Sequence, residues 1–364
     1  MRILLSFIFL SLLAYSIKAQ APKYSNEFLA IGVGARALGM SNSVIASNND
    51  VYSSYWNPAG LLGLKTNREI AAMHSEYFAG IAKYDYGAIA FKLSDKSAGA
   101  VSLIRFGVDD IPNTSELIDG QGNINYDKVT TFSAADYAFM FSYARQTNIE
   151  GLSIGGNAKI IHRIVGDFGT SWGFGIDLAA QYKVKDWQMA VMLRDITTTF
   201  NAWSYTLDDK MKEAFSRTGN TIPKNSTEIT LPKIILGVGR NFSFGENFDL
   251  LAEVNFDITT DGMRNVIIKS NTLSIDPHMG LEFGYKNMVF LRAGVGNVQQ
   301  ETMVEDNAKH YTFQPNIGLG VVIMDVLSID YAFTDIGNQS IALYSNVFSL
   351  KYSFNSKKSK EKKK

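Results

Sequence analysis

The sequence predicts an all-β protein, a 14-stranded antiparallel transmembrane β-barrel with an amino-terminal segment inside its lumen. Three observations carry this reading. Apolar and polar residues alternate with period two over segments of about ten residues, the spanning length of a tilted barrel strand. The connections between those segments alternate between short and long. No window supplies the ~18 consecutive apolar residues of a spanning helix, although 46% of the 364 residues are hydrophobic and only 19% are charged.

The alternation is clearest from Phe174 to Tyr182. Phe174, Ile176, Leu178, Ala180 and Tyr182 share one face; Gly175, Asp177, Ala179 and Gln181 share the other. Phe248 to Ile258 repeats the scheme, with Glu253, Asn255 and Asp257 on the polar side and only Leu251 out of place. Met279 to Tyr285, Val289 to Val295 and Leu327 to Phe333 do the same, placing Glu282, Arg292, Ser328 and Asp330 inward. A soluble sandwich with one wet face also alternates. Its strands, however, are usually five or six residues long, and nothing gathers its long loops at one end.

Fourteen strands fall near 68–77, 81–93, 99–107, 132–145, 151–165, 170–183, 187–196, 232–242, 247–258, 272–285, 288–297, 310–322, 325–334 and 342–354. Short connections at 94–98, 146–150, 184–186, 243–246, 286–287 and 323–324 alternate with 108–131, 197–231, 259–271, 298–309 and 335–341, which are mostly much longer. Two connections on the long-loop side, 78–80 and 166–169, are short exceptions. Short periplasmic turns and longer outer loops are the outer-membrane pattern, and an even strand count puts both termini in the periplasm. The final strand carries Phe348, Leu350, Tyr352 and Phe354 toward lipid. Tyr352 and Phe354 form a barrel-end aromatic signal of the kind assembly machinery reads.

The chain divides into residues 1–21, a signal peptide; 22–66, an amino-terminal hatch segment; 67–354, the barrel; and 355–364, a Lys-rich periplasmic tail. The signal peptide is read from Arg2, the apolar run Ile3 to Leu13 and the cleavage site Ala19-Gln20-Ala21, in that order. In the hatch, Gly32, Gly34 and Gly39 punctuate an apolar stretch. Asn49 or Asp50 can cap a short helix running to Trp56, which Pro58 blocks from continuing.

Most chemical motifs fail on context. Gly32-x-Gly34 with Gly39 lacks dinucleotide-loop spacing and a βαβ setting. Asp167-Phe168-Gly169 stands without a catalytic loop or phosphate loop, and reads as a tight turn. His74, His162, His278 and His310 lie in different strands with no paired spacing. Asp109, Asp110, Asp119 and Asn123 share one expected outer loop without a calcium-loop register. The chain has no Cys, which excludes thiolate metal sites, a Cys nucleophile and a lipoprotein anchor. There is no Gly-x-Ser-x-Gly elbow. With formal net charge zero and no basic repeat, nothing asks for nucleic acid. No catalytic residue, metal or cofactor is expected; outer-membrane lipid is.

The longest connection, 197–231, is the candidate partner-binding loop. Thr206 can cap a short helix with Asp209 near its start, on which Leu207, Met211 and Phe215 form an apolar stripe at i, i+4 and i+8. That stripe either packs on the rest of the loop or docks a partner. Trp203 and Tyr205 just before it read as interface residues or contact anchors.

Three stretches of the hatch carry a family resemblance. Ser25 to Leu29, then Gly34-Ala35-Arg36-Ala37-Leu38-Gly39-Met40, then Tyr55-Trp56-Asn57-Pro58-Ala59-Gly60-Leu61, resemble the opening of the PorV/PorQ family of Bacteroidota. The resemblance implies a FadL-type barrel with a lumenal hatch. It implies a role in type IX secretion, binding carboxy-terminal sorting domains of cargo and working beside the translocon and an attachment complex. Asn57-Pro58-Ala59-Gly60-Leu61 departs from the lysine-containing sequence expected of PorV itself, which suggests a paralogue with a different client. The expected function is therefore a non-enzymatic accessory or shuttle barrel. Two alternatives stand beside it: a FadL-like transporter of small hydrophobic molecules, and a structural subunit of another assembly such as the barrel-assembly machinery.

Overall fold

The computed structural model describes residues 25–119, 121–302, 309–337 and 344–355. The signal peptide expected at 1–21 and all but the first residue of the tail expected at 355–364 lie outside them.

The strands are β1 (Arg68–Tyr77), β2 (Ala82–Ser94), β3 (Ser97–Asn113), β4 (Thr130–Gln146), β5 (Leu152–Val165), β6 (Gly169–Val184), β7 (Trp187–Arg194), β8 (Thr199–Tyr205), β9 (Ser226–Thr230), β10 (Lys233–Phe244), β11 (Phe248–Thr259), β12 (Ile268–Lys269), β13 (Ser274–Tyr285), β14 (Val289–Thr302), β15 (Lys309–Ile323), β16 (Leu327–Thr334) and β17 (Ser345–Phe354). Fourteen of them form the wall, each pairing antiparallel with the next, as the alternation predicts. β12 only extends the edge of β13, and β8 and β9 continue two wall strands. The ring shuts where β1 meets β17, in register from Arg68 with Phe354 to Glu76 with Asn346. Closure removes the unpaired edges that lipid cannot hydrate.

Inward and outward faces follow the sequence pattern. Along β6, Phe174, Ile176 and Leu178 are exposed while Gly175, Asp177 and Ala179 are buried. Leu251 stays in strand register and therefore points inward, where it is buried beside Glu253. The short turns are tight: Lys286 and Asn287 have φ of 52° and 53°, and Met324 and Asp325 have 51° and 57°. Two successive left-handed residues match the right-handed twist of the strands they join.

Three expectations are corrected. The loop expected at 108–131 is shorter, because β3 runs on to Asn113 and β4 begins at Thr130; Asp109 and Asp110 sit in strand at a bulge between Val108 and Ile111. The loop expected at 197–231 is shorter too. The wall breaks after Arg194 and resumes as β8, which pairs with the upper half of β6 and with β9. Residues 194–199 oppose only 175–177, since Leu193 pairs with Leu178 and Phe200 with Phe174. The surplus is absorbed where Asp195 and Thr198 turn to φ 54° and 60°. Pro232, which has no N–H to donate, marks the matching break between β9 and β10. Finally, Trp203 and Tyr205 belong to β8, not to a loop.

The segment before the barrel holds α1 (Ala35–Gly39) and α2 (Ser53–Trp56), with 3-10 turns at Glu27–Ala30 and Pro58–Gly63. Most of it is buried. The helix expected from Asn49 or Asp50 begins only at Ser53; the Asp50 carboxylate instead accepts from the Tyr52 N–H and turns the chain ahead of it.

Candidate functional site: the lumen segment and the outer loops

Residues 25–64 touch inward-facing side chains on every side of the ring. Ala35 N–H donates to Ser349 Oγ on β17 at 3.0 Å. Arg36 grips Glu282 on β13 with two hydrogen bonds of 2.8 and 2.9 Å. Ala46 and Ser47 N–H donate to the Glu253 carboxylate on β11 at 2.7 and 3.0 Å. Gln181 on β6 donates to the Ala46 and Asn48 carbonyls. Val51 N–H donates to Glu69 on β1, and Lys351 on β17 donates to Asp50 at 2.6 Å. Burial opposes ionisation of Asp50, but the Lys351 ammonium and the more distant Arg36 outweigh it and hold its carboxyl below the usual range.

Glycines in the wall let this backbone come close. A Cβ on Gly294 would lie 2.3 Å from the Met40 carbonyl carbon, one on Gly280 2.6 Å from Met40 Cβ, and one on Gly155 2.6 Å from Ala59 N. Gly39 faces Gly318, glycine against glycine. Gly60 has no room for a side chain beside the Asn48 carbonyl. The remaining motif residues brace the segment itself. Gly34 takes φ 86° over the Tyr52 ring, and its N–H reaches Met73 Sδ at 2.9 Å. Trp56 Nε1–H donates to the Val33 carbonyl at 2.8 Å. Asn57 caps Ala59 N–H and donates to the Ile45 carbonyl, while Pro58 opens the 3-10 turn. Ala35, Ala37 and Ala59 are buried.

The broken strand is tied to this segment by charge. Lys159 Nζ contacts both Asp177, at 2.7 Å, and Asp195, all three buried. The Asp195 N–H donates to Asp177 and the Thr199 hydroxyl donates to Asp195. Arg194 lies 4.4 Å over the Tyr55 ring and donates to the Tyr55 carbonyl. Asn201 donates to Ser25 and Asn26. Sequence reading did not single out Lys159, Arg194 or Asp195; the available signal was a cation at an inward position of β5.

The expected partner-binding residues separate. Trp203 is 7% exposed, points into the barrel, stacks on Tyr205 and lies 5.1 Å beneath the Arg163 guanidinium. It is a wall residue, not a surface anchor. α3 (Asp209–Arg217) does form, but Asp208, not Thr206, caps it by accepting from Met211 N–H at 2.7 Å. Leu207, Met211 and Phe215 are half-buried, and Lys210 reaches Glu116 in the β3–β4 connection at 3.5 Å. Tyr352 and Phe354 stack on each other. The histidines are apart: His74 bonds Asp85, His162 stacks on Trp172, and His278 meets Asp257 and Ser43. Asp119 bonds Asn123. Among the described residues no group of His, Asp or Glu is arranged to hold a metal.

Two large spaces flank the segment. On the short-turn side a cavity of about 820 Å³ is lined by Arg36, Asp50, Glu69, Glu282, Asp330 and Lys351 among others. On the long-loop side, cavities of about 360 and 510 Å³ share Lys233, Asp257, Arg264 and Asp276. Charged groups line both.

A closed fourteen-stranded wall with an apolar outer face and a polar lumen defines an outer-membrane β-barrel, and solved structures share its fold. The CymD monoaromatic hydrocarbon channel superposes with TM-score 0.55 at 13% identity, covering 90% of this chain and 98% of that one. The Ralstonia pickettii toluene transporter TbuX gives 0.53 at 12%, covering 89% and 98%. A Pseudomonas aeruginosa FadL homologue gives 0.52 at 12%, covering 88% and 98%. No curated protein sequence matches. The sequence profile of type IX secretion system protein PorV matches residues 18–227. The chain belongs to the PorV family, as a FadL-like barrel of the outer membrane.

Proposed function

We propose that the chain is a non-enzymatic accessory barrel of type IX secretion that holds protein partners, or the sorting domains of cargo, at its outer loops. Residues 1–21 direct export, residues 22–66 serve as a hatch, and both termini face the periplasm. The observation that carries this reading is how the segment at 25–64 is fixed. Ion pairs and hydrogen bonds from β1, β6, β11, β13 and β17 hold it in place, which leaves recognition to the loops. The match to a secretion family supplies the process.

The test is recovery of the tagged protein from native outer membranes in mild detergent, followed by mass spectrometry. Wild type brings down translocon or attachment subunits, or cargo bearing sorting domains. A variant with residues 206–222 replaced by a short Gly-Ser turn loses them while still migrating as a folded barrel. Unchanged recovery overturns the loop assignment. A different large assembly, such as barrel-assembly machinery, moves the job there.

The alternative reading is transport of small hydrophobic molecules, the task of the hydrocarbon channel and the toluene transporter that share the fold. One feature favours it: Asp195, at the wall break, shares with Leu231 and Pro232 a pocket of about 70 Å³ that Leu29 and Met140 also line. Lys159, Asp177 and Arg194 line the same pocket, which makes it a poor apolar path. A lone barrel with lipid in its eluate would favour this reading.

A further inference from the structure

The outer wall is apolar at the strand positions that face lipid, with one interruption. On β4–β7, β10, β11, β13 and β15–β17, the described outward positions carry Asp, Glu, Lys, Arg or His only at Arg145 and Arg240, both close to short turns, and at His162, which is stacked on Trp172. On β1–β3 six neighbouring outward residues are ionisable: His74, Glu76, Lys83, Asp85, Arg105 and Asp109. They form a ribbon across three strands. His74 bonds Asp85 at 2.7 Å, Lys83 reaches Asp109 at 3.3 Å, and Arg105 lies 3.6 Å from Asp85 and 3.5 Å from Asp109.

The ribbon is not simply above the membrane. Arg105 stands eight residues up from Ser97 at the foot of β3, and Asp85 nine up from Ser94. At ~3.3 Å per residue and a tilt near 40°, that is about 20 Å above the turn. The apolar outer face of β6 spans twelve residue steps, from Val184 to Trp172, or about 30 Å by the same measure. The ribbon therefore falls at a height where the wall three strands away is still greasy. Charges there destabilise a barrel if lipid covers them, and these are incompletely served. The side chains of His74 and Glu76 are about half exposed, at 51% and 57%, and their mutual contact is a slack 3.9 Å.

We propose that the outward face of β1–β3 docks a neighbouring membrane protein, whose wall or loop presents basic, hydrogen-bonding side chains. The sign follows from the count: Glu76, Asp85 and Asp109 supply three carboxylates against the two cations Lys83 and Arg105. That excess repels the phosphates of anionic lipid and attracts Lys or Arg. The inference rests on the reading of the chain as an accessory barrel and gives that role a second contact surface, separate from the loops.

The test places a photo-crosslinking residue at Ala72, outward and next to the ribbon, or at Ala252 on another wall, in the full-length protein in native membranes. At Ala72 a discrete protein adduct forms; at Ala252 only lipid adducts form. The double variant Glu76→Lys with Asp85→Lys lowers the adduct at least tenfold, and Glu in place of the partner's crosslinked basic residues restores it. Heat-modifiable gel mobility reports folding, and Glu76→Gln with Asp85→Asn gives a several-fold loss should the reversal fail to fold. Lipid adducts alone at Ala72, or reversal that changes the yield less than twofold, overturns the proposal. If partners are still recovered from detergent in that case, the accessory role stands without this surface. If wild type recovers no partner, both fall.

Discussion

Arg36 and Glu282, separated by 246 residues in sequence, meet through two hydrogen bonds of 2.8 and 2.9 Å. Arg292 bonds the same carboxylate at 2.6 Å and continues to Asp330 at 2.7 Å. One arginine of the lumen segment thus completes a chain of charges that the wall alone would leave one cation short.

Arg36→Met should loosen the segment without unfolding the barrel, because Arg292 still neutralises Glu282. We expect a destabilisation of about 3 kcal/mol in guanidinium titrations, the low end for breaking a buried pair, together with new ion conductance in planar bilayers. Glu282→Gln should cost more, since it takes the carboxylate from Arg36 and leaves Arg292 with Asp330 alone. Equal effects for the two variants would contradict this ranking.

The wall glycines make a steric prediction with an internal control. Gly294→Ala should expose the amino-terminal segment to added protease, because its new methyl would overlap the Met40 backbone. Gly87→Ala should not, since nothing lies within 4 Å of the position its Cβ would take. Equal protection of both variants would show that the backbone contact is not limiting.

Lys159→Met should be among the most damaging single changes, because it leaves Asp177 and Asp195 buried without their cation. A loss of about 3–5 kcal/mol is expected for removing one partner of such a group. Adding Asp195→Asn should recover part of it. A double variant no more stable than Lys159→Met alone would mean that the charge is not the cause.

Asp50 predicts an acid response. Its carboxyl is held below the usual range in the folded state. The stability it contributes is therefore present above the unfolded value of about 3.9 and is lost as pH falls through the lower folded value. Protease protection of the segment should decline below about pH 4 in wild type. Lys351→Met should move that decline to higher pH. An unchanged midpoint would remove this pair from the account.

The wall was legible in the sequence because period-two alternation needs only local information. Phe174 to Tyr182 reads the same in sequence and structure. β8 and β9 were not legible: surplus residues at Asp195–Thr198 shift the alternation, and Pro232 reads as a boundary rather than as a break inside one long strand. At the site, the glycines and alanines of the motif stood out, but their reason did not. Gly39 is small because it meets Gly318, and Arg36 is present because Glu282 is, pairings across the lumen that leave no local trace. Trp203 was misplaced for a related reason. An aromatic beside a helical loop looks like an anchor until its strand register turns it inward.

The bonds from Ala35 to Ser349 and from Asp50 to Lys351 join the start of the described chain to its last strand, 314 and 301 residues away. The earliest-made part of the described chain thus waits for the last strand before it can settle. Until β17 pairs with β1, the amino-terminal segment lacks the partners it needs, and a truncated product cannot bury it. Seating this segment and sealing the ring become one event, so a filled lumen is itself the mark of a finished molecule.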